Sequence, residues 1–89
     1  NKIHREWEEQ ALWQLKGKPR VEHYPVTLTC VFYNGDKRRR DNSNMLDSVQ
    51  DVLVKAGIIE DDNCWILDIG ALHSEYDKTN PRCEVYLDE

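Results

Sequence analysis

Asp41 closes the run Lys37-Arg38-Arg39-Arg40-Asp41, and twenty residues later Asp61 and Asp62 stand side by side. Carboxylates gathered by a fold repel one another and must take up protons, bind a cation or pair with a base. Oxygen ligands of this kind suit Mg²⁺ or Mn²⁺. The cations just before Asp41 suit the phosphates of a nucleic acid. Each part also has a plain structural reading: a basic run is commonly a solvated loop, Asp41 a carboxylate at a helix N-terminus, and Asp61-Asp62 an acidic turn. The combination is what points to chemistry.

These residues must be positioned by a small number of elements. Residues 3–15 repeat Ile3, Trp7, Ala11 and Leu15 at four-residue spacing, with Leu12 beside them and charged or amide residues between, the pattern of an amphipathic helix. Gly17 and Pro19 end it. Residues 24–33 alternate Val26, Leu28, Cys30 and Phe32 with Thr27, Thr29, Val31 and Tyr33, which predicts a strand partly covered on both faces. Asn34-Gly35-Asp36 reads as a turn into the basic run.

A second helix follows, with Asn42 or Ser43 as its expected cap and Gly57 as its stop. Met45, Leu46, Val49, Val52, Leu53 and Ala56 make one buried stripe, leaving Asn44, Asp47, Asp51 and Lys55 on the opposite face. Asp51 and Lys55 have the spacing of an i, i+4 ion pair. Residues 64–72 read as a strand, 74–82 as a loop or hairpin bend around Asn80-Pro81, and 83–87 as a final strand. Trp7, Trp13 and Trp65 could stack on exposed bases, but Trp7 and Trp65 fall on positions expected to be buried, and core packing is the better reading for them; Trp13 stays open. The fold class is therefore α+β within the α/β classes, a small single domain over residues 1–89 with a mixed sheet packed by two helices.

Composition narrows the functions. Twelve Lys and Arg against seventeen Asp and Glu give a net charge of −5, the wrong sign for DNA binding through overall charge. Any contact with DNA has to be local. Cys30, Cys64 and Cys83 are odd in number and widely spaced, as expected of reduced thiols in the cytoplasm rather than of a disulfide framework. His4, His23 and His73 lack zinc-site spacing with them. No histidine near Ser43 in sequence supports a serine nucleophile, and Met45 and Leu46 fall where a calcium loop needs a ligand and a glycine. No apolar run reaches membrane-span length. The chain begins at Asn1 and ends at Asp88-Glu89 directly after a strand-like run, so native N-terminal residues are expected to be missing.

The stretch Arg38-Arg39-Arg40-Asp41-x-x-Asn44, continued by a helix, Lys55-Ala56-Gly57 and Asp61-Asp62, resembles RusA-type Holliday-junction resolvases. The match is strongest from Arg38 to about Ile66. The resemblance implies a small, homodimeric, Mg²⁺- or Mn²⁺-dependent endonuclease that cuts branched DNA, a four-way junction above all. It also implies a bacterial cytoplasm, with phages and prophages as frequent carriers of such proteins.

The family's pattern is Asp-x-Asp-Asn, a lysine three residues on, and Asp-Asp after the helix. Asp41 matches the first aspartate, Asn44 the asparagine, and Asp61 and Asp62 the final pair. The resemblance thus assigns Asp41, Asp61 and Asp62 to catalysis, Asp41 and Asp62 to the metal, and Lys37, Arg38, Arg39, Arg40 and Asn44 to DNA. Two positions depart: Ser43 stands where a second aspartate is expected, and Asp47 where the lysine is expected. The number of carboxylates is unchanged, so Asp47 is a further candidate ligand. The alternative is a family member that has lost catalysis and binds DNA junctions or a protein partner.

Overall fold

Every second side chain from Val26 to Phe32 is apolar, and this alone fixes the middle of the sheet. In the computed structural model, which describes residues 2–89, strand β1 (Val26–Asn34) buries Val26, Leu28, Cys30 and Phe32 to 8% exposure or less. Thr27, Thr29, Val31 and Tyr33 on the other face are only half-buried. One face is therefore core, and the other is only partly covered.

β1 pairs in parallel with β2 (Leu67–Tyr76) and antiparallel with β3 (Arg82–Asp88), giving a mixed three-stranded sheet in the order β2-β1-β3. Two helices complete the α+β fold expected from the sequence. The boundaries of β2 differ from the expected residues 64–72. The N–H groups of Ile66 and Leu67 both donate to the carbonyl of Asn63, at 3.1 and 3.0 Å, which holds residues 63–66 in a turn and delays the strand. At the far end, pairing with β1 out to Asn34 carries the polar residues His73 to Tyr76 into the ladder. A bulge falls where the register passes from Leu28↔Ile69 to Thr29↔Ala71 and skips Gly70. A Cβ at Gly70 would lie 2.7 Å from Thr27 Cγ2, so only glycine allows the strands to approach there.

Helix α2 (Asn42–Lys55) buries Val49, Val52 and Leu53, three members of the stripe read from sequence. Its cap is Asp41, neither Asn42 nor Ser43, because both of those already belong to the helix and the Asp41 carboxylate accepts the Ser43 N–H. Gly57 takes φ +73° beyond the Ala56 C-cap, the left-handed conformation expected of a stop. Helix α1 (Lys2–Leu15) has no buried residue: Trp7 and Leu15 lean on the core, while Ile3, expected in the apolar stripe, is 79% exposed. Lys55 Nζ reaches Glu8 Oε1 at 2.7 Å and so ties α2 to α1.

The direction of α2 decides where the acidic residues at its two ends come to lie. Its C-terminal end is fastened to the residues that lead into β1: the Val21 N–H donates to the Ile58 carbonyl at 2.8 Å, and the Glu60 N–H to Tyr24 Oη at 3.0 Å. The Val26 N–H then donates to the Ile66 carbonyl at 2.9 Å. α2 therefore runs back along β1, starting beyond the end of the strand and finishing beside its beginning.

Candidate functional site

Asp41 sits at the start of α2 as its cap. Its Oδ1 accepts both the Ser43 N–H at 3.0 Å and the Ser43 hydroxyl at 2.7 Å, and its own carbonyl accepts the Met45 N–H at 3.1 Å. The Ser43 hydroxyl, followed by the backbone N–H groups of Ser43 and Asn44, holds this carboxyl below the usual aspartate range. Asn44 and Asp47 are exposed three residues apart on the helix, hence on one face. Asp47 is the sixth residue of α2 and so lies in its second turn.

Asp61 and Asp62 occupy the exposed loop after the buried pair Ile58-Ile59. Asn63 organises that loop, donating from Nδ2 to Asp61 Oδ2 at 2.7 Å and accepting the Trp65 N–H on Oδ1 at 2.9 Å. The Asn63 amide, then the Asp62 backbone N–H, lowers the Asp61 pKa. Trp65, placed in the core by the sequence pattern, is 83% exposed. The reason is local: the buried side chain of Leu67 and the backbone anchor at Ile66 leave Trp65 on the outer side of the turn.

The two acidic groups lie at opposite ends of the molecule. Between them runs α2, whose fourteen residues at a rise of about 1.5 Å span roughly 20 Å. Among the described residues no three His, Cys, Asp or Glu side chains gather where they could hold a metal ion. Asp41 and Asp47 share one end, Asp61 and Asp62 the other. Asp41 and the Asp61-Asp62 pair therefore do not meet around one ion within a single chain.

The basic run shares its end with Asp41. Arg40 folds back, donating from Nη2 to Asp36 Oδ1 at 2.9 Å and from Nη1 to the Arg38 carbonyl at 3.2 Å, and its side chain is 29% exposed. It shapes the loop. Arg38 is 83% exposed with Nε 3.5 Å from Asp36 Oδ2, and Lys37 lies over the Tyr76 ring at 5.1 Å. Arg39 is exposed. Lys37, Arg38 and Arg39 therefore offer charge to solvent at the end where α2 begins, whereas Glu60, Asp61 and Asp62 make the other end acidic.

No family model and no solved structure matches the chain significantly. A curated protein, the crossover junction endodeoxyribonuclease RusA of Aquifex aeolicus (strain VF5), is 36% identical over 59 residues, which cover 64% of this chain and 47% of that protein. The chain spans about half the length of the curated relative it matches. This likeness agrees in kind with the resemblance carried by the Asp41 and Asp61-Asp62 motifs. No helix among the described residues is long and apolar enough to cross a membrane.

Proposed function

We propose that residues 1–89 form a RusA-like domain of a structure-specific endodeoxyribonuclease. It would act in the cytoplasm of a bacterium, as a chromosomal, prophage or phage product, on Holliday junctions or other branched DNA. The observation that carries the reading is the 36% identity to a crossover junction endodeoxyribonuclease, in a chain whose exposed Asp41, Asp61 and Asp62 match three of the motif's four aspartates.

The fold adds a condition to that reading. Asp41 and Asp61-Asp62 are too far apart in one chain to act on one phosphate, so we take each site from two copies: Asp41, with Asp47 near it, from one, and Asp61 and Asp62 from the other. A symmetric homodimer gives two such sites, which suits a substrate with two strands to cut. Divalent metal belongs to this reading through the resemblance; within one chain Asp41 does not join Asp61 and Asp62 as a ligand. The exposed Lys37, Arg38 and Arg39, with Asn44, would neutralise and orient phosphates beside the Asp41 end. Arg40 would serve by holding the loop through Asp36.

A second reading is favoured by one contact. Where the motif expects a carboxylate, the Ser43 hydroxyl donates to Asp41 at 2.7 Å and spends that carboxylate on a helix cap. A protein that has kept junction binding and lost cleavage would look like this.

A labelled four-way junction incubated with Mg²⁺ or Mn²⁺, beside Asp62→Asn, separates the two. Paired, metal-dependent nicks that vanish in the variant are expected of the nuclease. Junction binding with no nick under any of these conditions would leave the binding protein.

A further inference from the structure

Trp65 is 83% exposed on a loop that is firmly tied. Asn63 bridges Asp61 and the Trp65 backbone through its side chain, at 2.7 and 2.9 Å. The carbonyl of the same Asn63 takes the next two N–H groups, those of Ile66 and Leu67. Ile66 is in turn bound to Val26, and the Leu67 side chain is 5% exposed in the core. The indole is thus held in water by a backbone fixed on both sides of it. Large aromatic residues are ordinarily well buried. Trp13, the other exposed tryptophan at 73%, differs because the Lys16 ammonium lies over its ring at 5.1 Å.

We propose that Trp65 stacks on a base left without a neighbour at the branch point of the DNA. The inference rests on the junction reading above and goes beyond it by naming the group that tells a branch from a continuous duplex. In a duplex both faces of each base are covered by the adjoining pairs, whereas at a branch one face can be reached, and an aromatic side chain stacks on it whatever its sequence. The loop's own charge supports a base over a phosphate as the group that settles on the indole. Glu60, Asp61 and Asp62 repel phosphate, and a carboxylate beside a base can accept from the exocyclic amino group of cytosine or adenine. The indole lies three residues from Asp62, so a base stacked on it would bring the adjoining backbone toward the acidic loop.

The test compares the full chain with Trp65→Ala and Trp65→Phe, each titrated without divalent metal into a four-way junction carrying 2-aminopurine at the branch point, and into a linear duplex of the same sequence. The wild type should prefer the junction and change the 2-aminopurine fluorescence. Trp65→Ala should weaken junction affinity about five- to hundredfold with duplex affinity and melting temperature unchanged, and Trp65→Phe should recover most of the loss. Equal losses on junction and duplex, or no loss while the wild type still prefers the junction, overturn the stacking role and leave the junction reading in place. A Trp65→Ala variant that dissociates from dimer to monomer in sedimentation assigns the indole to a contact between copies, which also overturns it. A wild type with no junction preference overturns the junction reading and this inference together.

Discussion

Ser43 binds Asp41 twice through one oxygen, Oδ1, by its N–H at 3.0 Å and its hydroxyl at 2.7 Å. One of the two residues that depart from the expected motif is therefore the one that lowers the pKa of Asp41. A neutral donor at this position stabilises the Asp41 anion, where a second carboxylate would oppose it.

Ser43→Ala removes the hydroxyl and keeps the N–H. The Asp41 pKa should rise toward its ordinary 3.8, read from the side-chain carboxyl signal in an NMR titration. The sign for stability follows from the depressed folded value: the contribution is complete above the unfolded pKa and is lost as pH falls through the folded one. Wild type and variant should therefore differ most above about pH 5 and converge in acid, with the variant melting a few degrees lower at neutral pH. Equal melting curves at pH 7 would show that the hydroxyl contributes nothing to the cap.

Glu8 and Lys55 join the two helices at 2.7 Å, and the contact lowers the Glu8 pKa and raises that of Lys55, in each case chiefly through the hydrogen bond between them. Because α1 buries no residue fully, this pair should be a visible part of its docking. In a double-mutant cycle of Glu8→Gln and Lys55→Met, a favourable coupling should appear at low ionic strength and fade in about 0.5 M salt. No coupling at low ionic strength would mean that the helices are held by packing alone.

Leu28 sits at 0% exposure on the central strand, in the same core cluster as Leu53 and Val49 of α2. Leu28→Ala should cost about 2–5 kcal/mol, measured by urea unfolding with the slope unchanged. A loss below about 1 kcal/mol would indicate a core that collapses into the space.

The sequence made the architecture legible wherever one periodicity governed a segment. Alternation from Val26 to Phe32 and the stripe from Met45 to Ala56 are each satisfied by a single buried face. Periodicity misleads where a contact elsewhere in the fold decides the outcome. β2 extends to Tyr76 because β1 supplies partners there, not because His73-Ser74-Glu75 favour a strand. Lys55 turns to Glu8, forty-seven residues away, although Asp51 has helical spacing with it. Trp65 faces water although an aromatic residue before a strand is expected in the core; its polar neighbours Asp61, Asp62 and Asn63 are the sign of this in the sequence.

For the site, residue types and spacing singled out exposed acids and an exposed basic loop. Spacing in sequence could not show that a helix of fourteen residues holds Asp41 and Asp62 apart. Chain distance along α2 becomes distance in space because a helix is straight, and the loop beyond it is fastened to Val21 and Tyr24 and has no slack to return.

The most direct test of sites shared between two copies is a complementation assay. Asp41→Asn, which preserves capping because asparagine caps as well as aspartate, and Asp62→Asn are each incubated with a labelled four-way junction and Mg²⁺, and then mixed and re-equilibrated. Each alone should be inactive. In a mixed dimer one site carries both substitutions and the other carries neither, so the mixture should regain metal-dependent cleavage as a single nick per junction. A mixture that stays inactive beside an active wild type would contradict the account and place a complete site within one chain.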